Sequence, residues 1–556
     1  MTRRITRTLI QGAAFLTIIL VLVFIADHRY RVLPTSLHVH LPLHHSGSVI
    51  TDINIVFCSS ANPFSTCRLD PLQWRRLEKD LYLNSGWLNS AWMHVQRQHE
   101  GELSQDDVVV MDVRVGRSDP SAGAGDESGN QWEWRPGGIW LLRSKRTVDF
   151  DSQRVVTAVD LLFGADAVDP RPGWTLARTP LLIDENRDSH AARLSIRRGQ
   201  PTADKRVAVP RVRKNGRFKI LQISDAHVST GVGKCRDAIG IGGKPSRQCE
   251  ADPRTLEFLE TVLDDEKPDL VILSGDQVEG PAAPDTQSAL FKIVAPLAER
   301  RIPYAAIFGN HDDEGMRSLP RATQMSLLET LPYSLSRAGD ESVSGVGNYY
   351  VEIPSHSSDT SALTIYLLDS HSLSPDEHNY KGYDWIKQDQ IDWFRTLAQS
   401  LKKAHARYSH IHMNMAFVHI PLPEYQDPGN VVVGGQWREG VTSPKYNSHF
   451  YDALVAEGVL AVGCGHDHVN DYCAIRPPTA DSPSRAPGPY LCYAGGAGFG
   501  GYAGYGGFHR RVRMWEMDTN AGRMTTWKRV ECCGPETQQR VDEIVLVEGG
   551  QVVVPS

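Results

Sequence analysis

Along residues 218–462, short apolar runs alternate with longer segments whose apolar residues recur at helical spacing. The runs 218–223, 270–273, 304–308, 363–368, 415–418 and 459–462 predict strands, and 252–265, 286–299, 325–331, 388–404 and 450–456 predict helices. That alternation belongs to layered α/β architecture. Upstream the pattern changes. The β-branched or aromatic runs 53–57, 108–115, 139–142 and 155–163 are separated by loops such as 118–130, with its Gly, Ser and Asp cluster. A β-rich accessory domain is expected there, a small sandwich with one helix over 71–82.

The N-terminus has a pattern of its own. Arg3, Arg4 and Arg7 precede an uncharged stretch over 9–26, unbroken in its apolar character from residue 18 onward. About 17–25 mostly apolar residues cross a bilayer as a helix, so the stretch predicts an uncleaved single-pass transmembrane helix. A cleaved signal peptide or a buried helix is the rival reading, and no A-x-A-like cleavage site precedes Asp27. A single-pass membrane protein of the endomembrane system is expected; three N-terminal arginines against Arg29 and Arg31 only mildly favour a cytoplasmic N-terminus, and the side of the main domain is left open. The expected layout is a tail and anchor over 1–30, a stalk over 31–48, the β-rich domain over 49–200, a basic linker over 201–217, the α/β domain over 218–530 and a C-terminal tail over 531–556.

Composition removes some function classes. The 556 residues carry 66 acidic and 59 basic side chains, a net charge of −7, which has the wrong sign for a nucleic-acid partner held by bulk charge. Nine cysteines are too few for a disulfide scaffold. Cys58 and Cys67 close a short loop as a local disulfide or stand as two unrelated thiols; Cys235 and Cys249 bracket another loop, and Cys464 reads as a small buried residue. Lys205, Arg206, Arg211, Arg213, Lys214, Arg217 and Lys219 make the linker basic, either as a solvated connector or as a contact for acidic lipid or phosphoprotein.

Five short motifs then follow strand candidates in order: Asp225 with His227; Gly275-Asp276; Gly309-Asn310-His311-Asp312; Val418-His419; and Gly465-His466-Asp467-His468. Ligands of open α/β sheets bind outside the carboxyl ends of the strands, where all five fall. Imidazoles, carboxylates and an amide oxygen suit borderline or hard divalent ions. Asp276, alone on its loop, is the candidate to bridge two of them. Two ions about 3.5–4 Å apart polarise a phosphoryl oxygen and acidify a bound water, so the expected reaction is phosphoester hydrolysis.

In this order the motifs resemble the calcineurin-like metallophosphoesterase superfamily, over about residues 216–530. The resemblance implies an α/β fold, a four-layer αββα sandwich. It implies that Asp225, His227, Asp276 and His468 hold one metal and Asp276, Asn310, His419 and His466 the other, the ions being Mn, Fe or Zn. His311 would then stabilise the charged transition state or protonate the leaving alkoxide, with a hydrogen-bond donor behind the ligands as the alternative. Purple acid phosphatases carry a metal-binding tyrosine three residues after the Gly-Asp aspartate, where this chain has Glu279. Calcineurin-type serine/threonine phosphatases continue that motif with an Asp-Arg-Gly not found in Gln277, Val278, Glu279 and Gly280.

The apolar N-terminus, the β-rich region, residues 383–386 and the glycine-rich stretch 495–507 leading to Arg510, Arg511 and Arg513 resemble the fungal Dcr-type phosphatases, dosage-dependent cell cycle regulators, and related plant proteins. That resemblance implies attack on phosphomonoesters of phosphorylated proteins by metal-bound hydroxide. A nucleotide or phospholipid-headgroup phosphoesterase and a non-catalytic membrane scaffold are the alternatives. The glycine-rich stretch itself reads as a phosphate-meeting substrate loop or as a turn-rich connection.

Overall fold

The structure is a computed structural model. It describes Gln11, Gly12, Ala14, Phe15, Thr17, Ile19 and Val23, then residues 47–59, 67–83, 89–104, 106–121, 131–145, 153–183, 190–201, 209–240, 244–246, 248–477, 487–503, 509–531 and 540–555. The expected transmembrane helix over 9–26 lies largely outside these residues. Those described there are helical, and no helix among the described residues is long and apolar enough to cross a membrane. The chain divides into two compact units, one comprising residues 1–162 and 173–204, the other 163–172 and 205–556.

The first unit is β-rich, as its alternating runs require. It contains three three-stranded sheets, ordered Ser48–Ser59, Asn89–His99, Trp74–Asp80; Val108–Val115, Ile139–Lys145, Trp132–Arg135; and Val156–Phe163, Ala192–Arg198, Trp174–Leu176. The helix expected over 71–82 is instead the strand Trp74–Asp80, paired antiparallel with Asn89–His99 from Trp74 opposite Gln96 to Asp80 opposite Trp92. Leu72, Leu77 and Leu81 have no common helical face, whereas the strand lets the Arg76 guanidinium stack 4.1 Å from the Trp92 ring centre.

The described residues of the second unit form two mixed seven-stranded sheets. One runs Tyr304–Ile307, Leu270–Ser274, Arg217–Ile223, Arg511–Asp518, Arg523–Val530, Val541–Glu548, Gln551–Val552, and the other Tyr349–Pro354, Ser361–Leu367, Met413–Phe417, Ala461–Cys464, Tyr490–Tyr493, Cys473–Ile475, Val431–Gly434. Alternate residues of both meet in one buried core: Phe218, Ile220, Ile272 and Trp515 from the first sheet, Ile365, Met415, Phe417 and Ala461 from the second. On the far face of the second sheet, Tyr366, Ala416 and Val462 pack against Phe394 of the helix Gln388–His405 and Phe450 and Leu454 of the helix Phe450–Ala456. On the far face of the first, Glu266 at the end of the helix Ala251–Glu266 accepts hydrogen bonds from Trp527 Nε1 (3.1 Å) and Arg529 Nη1 (3.0 Å).

Three differences from the expected layout have physical causes. Residues 541–548 and 551–552, expected in a C-terminal tail, form strands because Val541–Glu548 extends the first sheet against Arg523–Val530. Three of the described cations around the linker are paired with nearby carboxylates: Arg213 Nε lies 2.8 Å from Asp269, Arg217 3.1 Å from Glu516 and Lys219 3.1 Å from Glu266. A third disulfide, Cys473–Cys492, joins Cys58–Cys67 and Cys235–Cys249, and Cys464 is a buried free thiol. Cys473 and Cys492 sit directly opposite on adjacent antiparallel strands, a pairing that follows from sheet register.

Candidate metal centre

Every motif residue stands on a turn at the carboxyl end of a strand. Asp225 and His227 follow Arg217–Ile223, Asp276 follows Leu270–Ser274, Asn310 and His311 follow Tyr304–Ile307, His419 follows Met413–Phe417, and His466 and His468 follow Ala461–Cys464. Four of these, Asp225, His227, Asp276 and His466, have left-handed backbone, with φ of 55°, 45°, 51° and 77°. Such conformations cost a non-glycine residue about 1–3 kcal/mol each and persist where the surroundings over-determine them. Here the surroundings are the other turns. The Asp225 N–H donates to Gly275 O (3.0 Å), His227 N–H to Asp276 O (3.0 Å) and Gly465 N–H to His419 O (3.0 Å).

The side chains converge into two groups. Asp225, His227, Asp276 and His468 place ligand atoms within 4.8 Å of one another, as do Asp276, His419 and His466. All six are buried. Asp276 is common to both groups: its Oδ2 lies 3.7 Å from His227 Nε2 and 3.2 Å from His419 Nε2, and its Oδ1 accepts the His311 N–H at 2.7 Å. Asp276 Oδ2, His419 Nε2 and Asn310 Oδ1 are buried without a hydrogen-bond partner. Buried polar atoms are almost always satisfied, so three orphans among the expected ligands of one site are the mark of a cation-binding site. His227 Nε2 and His468 Nε2 face each other at 3.0 Å, an arrangement in which both lone pairs address one point. The donor set therefore fits two divalent ions, one in each group.

Electrostatics agree. Burial works against the Asp225 carboxylate, yet His468 and His419 hold it down at about 2. Burial would lower the His419 imidazole, but Asp276 and Asp225 outweigh it and push it up to about 9. His466 is pushed down to about 3 by burial, reinforced by His419. Among the protein's own groups, negative charge collects around Asp225 and Asp276, where a cation would relieve it.

The imidazoles are oriented from behind. His419 Nδ1 lies 2.9 Å from Ser274 O, His468 Nδ1 2.5 Å from Tyr502 O, and His227 Nδ1 2.6 Å from the Glu279 carboxylate. Asp312 ties the loops together, accepting from the N–H groups of Asp276 (2.9 Å), Val278 (2.9 Å) and Gly309 (2.8 Å). Its place in the Gly-Asn-His-Asp motif was the sequence signal for it; Ser274 carried none, because it acts through its backbone carbonyl, and Tyr502, whose ring also stacks on His468 with centres 4.0 Å apart, was marked only as an aromatic in the glycine-rich stretch. His311 stands at the rim, its side chain about a third exposed, with Nδ1 bonded to the Glu314 carboxylate and its ring centre 5.1 Å from that of His227.

The described part of the glycine-rich stretch lies on a turn-rich connection between the strands Tyr490–Tyr493 and Arg511–Asp518, one of the two expected readings, and is packed against the site. In its described part, Gly496 N–H donates to His468 O, Ala497 N–H to Ser224 O and Gly498 N–H to Asp225 O, each at 3.0 Å, so these donors are already occupied. Arg510, Arg511 and Arg513 are buried rather than clamping phosphate. Arg510 Nε donates to Gly498 O (2.6 Å), and Arg513 donates to Tyr493 O (2.8 Å) and Asp471 O (2.9 Å).

Close packing makes one glycine indispensable. Gly275 has φ +100°, and a Cβ there would lie 2.7 Å from His419 Cβ, inside the imidazole's own space. Gly275→Ala is expected to destabilise the protein by about 1–3 kcal/mol from the backbone alone and to displace His419. Thermal denaturation together with metal content per chain would check both effects.

Residues 218–470 match the family described as calcineurin-like phosphoesterase. The chain is 39% identical to phosphatase DCR2 of Saccharomyces cerevisiae over 394 residues, 67% of this chain and 64% of that one. It therefore spans slightly less than two thirds of that relative's length. An uncharacterised protein of Schizosaccharomyces pombe is 31% identical over 497 residues, 87% of each chain. Probable inactive purple acid phosphatase 14 of Arabidopsis thaliana is 36% identical over 347 residues, 58% of this chain and 82% of that one. With the family's motif order carried on two sheets and gathered into two ligand groups around Asp276, the chain belongs to the calcineurin-like phosphoesterase family.

Proposed function

We propose that the protein is a metal-dependent phosphatase acting on phosphomonoesters of phosphorylated proteins. The observation that carries the reading is the sharing of Asp276 by two buried ligand groups, with orphaned atoms on Asp276, Asn310 and His419. Two ions held there supply Lewis-acid polarisation of a phosphoryl oxygen and acidify a water into a nucleophile near neutral pH. The chain's residues do the rest. Asp225, His227 and His468 fix one half of the site, Asn310, His419 and His466 the other, and Asp276 sets their separation. His311, bonded through Nδ1 to Glu314, presents the rest of its ring at the rim, where it delivers a proton to the leaving alkoxide. Its exposure supports a substrate attached to a large body.

One observation favours a nucleotide instead. Tyr383 meets the His466 ring edge-on at 4.4 Å, and Tyr380, Trp385 and Tyr446 stand together with ring centres 4.7–5.7 Å apart. Aromatic faces of this kind stack nucleobases. The test is hydrolysis by the full chain loaded with Mn²⁺, or with Fe and Zn, of an aryl phosphate, a serine phosphopeptide, a nucleoside monophosphate and a phospholipid headgroup phosphate. Phosphopeptide preference supports the proposal, nucleotide preference the second reading, and inactivity towards all four in chains holding two ions would overturn both.

His311→Ala carries its own signature. Loss of a positioned proton donor costs roughly 10²–10⁴-fold. The loss is expected in kcat for the serine phosphopeptide, whose alkoxide needs a proton, and is expected to be much smaller for an aryl phosphate with an acidic leaving phenol. Equal losses on both substrates would mean that His311 acts on the transition-state charge instead.

A further inference from the structure

We infer that Glu279 is a positioning residue for His227, and that it makes the group of Asp225, His227, Asp276 and His468 the tighter of the two ion sites. The inference rests on the two-ion reading of the centre. Glu279 stands three residues after Asp276 and is buried, with 6% of its surface exposed. Its Oε2 lies 2.6 Å from His227 Nδ1, and its Oε1 accepts from Arg236 Nη2 at 2.9 Å. Its own N–H donates to Val228 O at 2.9 Å, so its backbone is pinned to the residue after the imidazole it holds.

A carboxylate at Nδ1 requires a proton there. That fixes the His227 tautomer and turns the Nε2 lone pair towards Asp276 and His468. It also makes the imidazole a stronger donor to a cation.

The two groups are not backed alike. His419 and His468 rest on the neutral carbonyl oxygens of Ser274 and Tyr502, whereas His227 rests on a buried full negative charge. The ligands differ in the same sense. The first group has two carboxylates, Asp225 and Asp276, with Glu279 behind them. The second has Asp276 alone, the remaining ligands being the Asn310 amide and the imidazoles of His419 and His466. Arg236 offsets this little, because its side chain is 56% exposed and its charge is screened by solvent. Counting ligands and the carboxylate hydrogen-bonded directly behind them, the first group holds three buried negative charges and the second one; Asp225 also reaches the second group, 3.9 Å from His419 Nε2, but the surplus stays with the first and orders the affinities of the two sites.

The experiment is a Co²⁺ titration of the chelator-stripped full chain, read by visible absorption and by cobalt retained per chain after gel filtration, with no assay of turnover. The wild-type protein is expected to fill in two steps. Glu279→Gln keeps the size and one acceptor oxygen but removes the charge, and is expected to weaken the tighter step roughly 10–100-fold and leave the weaker step unchanged. Arg236→Ala, at an exposed position, removes a cation that partly offsets the Glu279 charge, so it is expected to shift the same step less and in the opposite direction, towards tighter binding, and it carries the test if Glu279→Gln does not fold. A tighter step unmoved by these substitutions, or both steps weakened alike, would overturn the inference alone. Wild-type protein binding fewer than two cobalt ions would overturn the two-ion reading itself.

Discussion

Asp276→Asn is expected to abolish phosphatase activity while leaving the fold intact. The substitution keeps an Oδ1 acceptor for the His311 N–H, so the turn that carries Asn310 retains its anchor. It removes the charge at Oδ2, the atom that both His227 and His419 approach and that no hydrogen bond satisfies. Metal activation contributes several kcal/mol of transition-state stabilisation, and each 1.4 kcal/mol is about tenfold in rate, so the loss should reach roughly 10³-fold. Stability should fall as well. Burial works against the Asp276 carboxylate, yet His419 and His227 hold it well below the usual carboxylate range in the metal-free chain, so its charge is favoured in the fold and removing it from chelator-treated protein costs stability. Aryl-phosphate turnover and the chelated melting temperature, measured side by side, check both halves. Retained activity in a chain with one ion would sink the bridging role.

Asp312→Ala is expected to have the largest effect on folding. Its carboxylate is fully buried and serves three backbone N–H groups on two different loops. Each buried donor left unsatisfied costs about 1–3 kcal/mol, so three cost roughly 3–9 kcal/mol. Against a net stability of about 5–15 kcal/mol for a typical domain, that is enough to leave little folded protein at 37 °C. Asp312→Asn retains an acceptor oxygen and should recover much of the loss. Denaturant unfolding of the two variants separates them, and equal stability would show that water replaces the carboxylate without penalty.

The contrast between these two aspartates shows what could be read from the chain alone. Asp276 was legible because a lone acid after a buried apolar strand, beside a glycine, has few structural reasons to exist. The same holds for His227, His419 and His468, whose turns close alternating strand and helix patterns. Strands at 511–518 and 523–530 were not legible as core. The period-2 spacing of their Arg residues is compatible with a solvent face and with a packed one alike; in the structure Arg511, Arg513 and Lys528 are buried, Arg513 giving hydrogen bonds to the carbonyls of Tyr493 and Asp471. Local charge cannot announce such a role, since the partners, the Tyr493 and Asp471 carbonyls for Arg513 and the Asp471 carboxylate for Arg511 and Lys528, are supplied by other segments. The strand at 74–80 was missed for a related reason. Its partner, Asn89–His99, and not its own period, decides its conformation.

The buried arginines also set the smallest piece of chain able to form the site. The recognisable family region ends at residue 470, directly after the last ligand, His468. The strand Arg511–Asp518 nonetheless lies at the middle of the first sheet, hydrogen-bonded to the strand that leads into Asp225. The segment 496–498 closes over the turns of Asp225 and His468. A fragment cut at residue 470 would contain every ligand and lack the wall they lean on. Chain termination anywhere before about residue 530 should therefore act as a complete loss of the centre, although no ligand is removed.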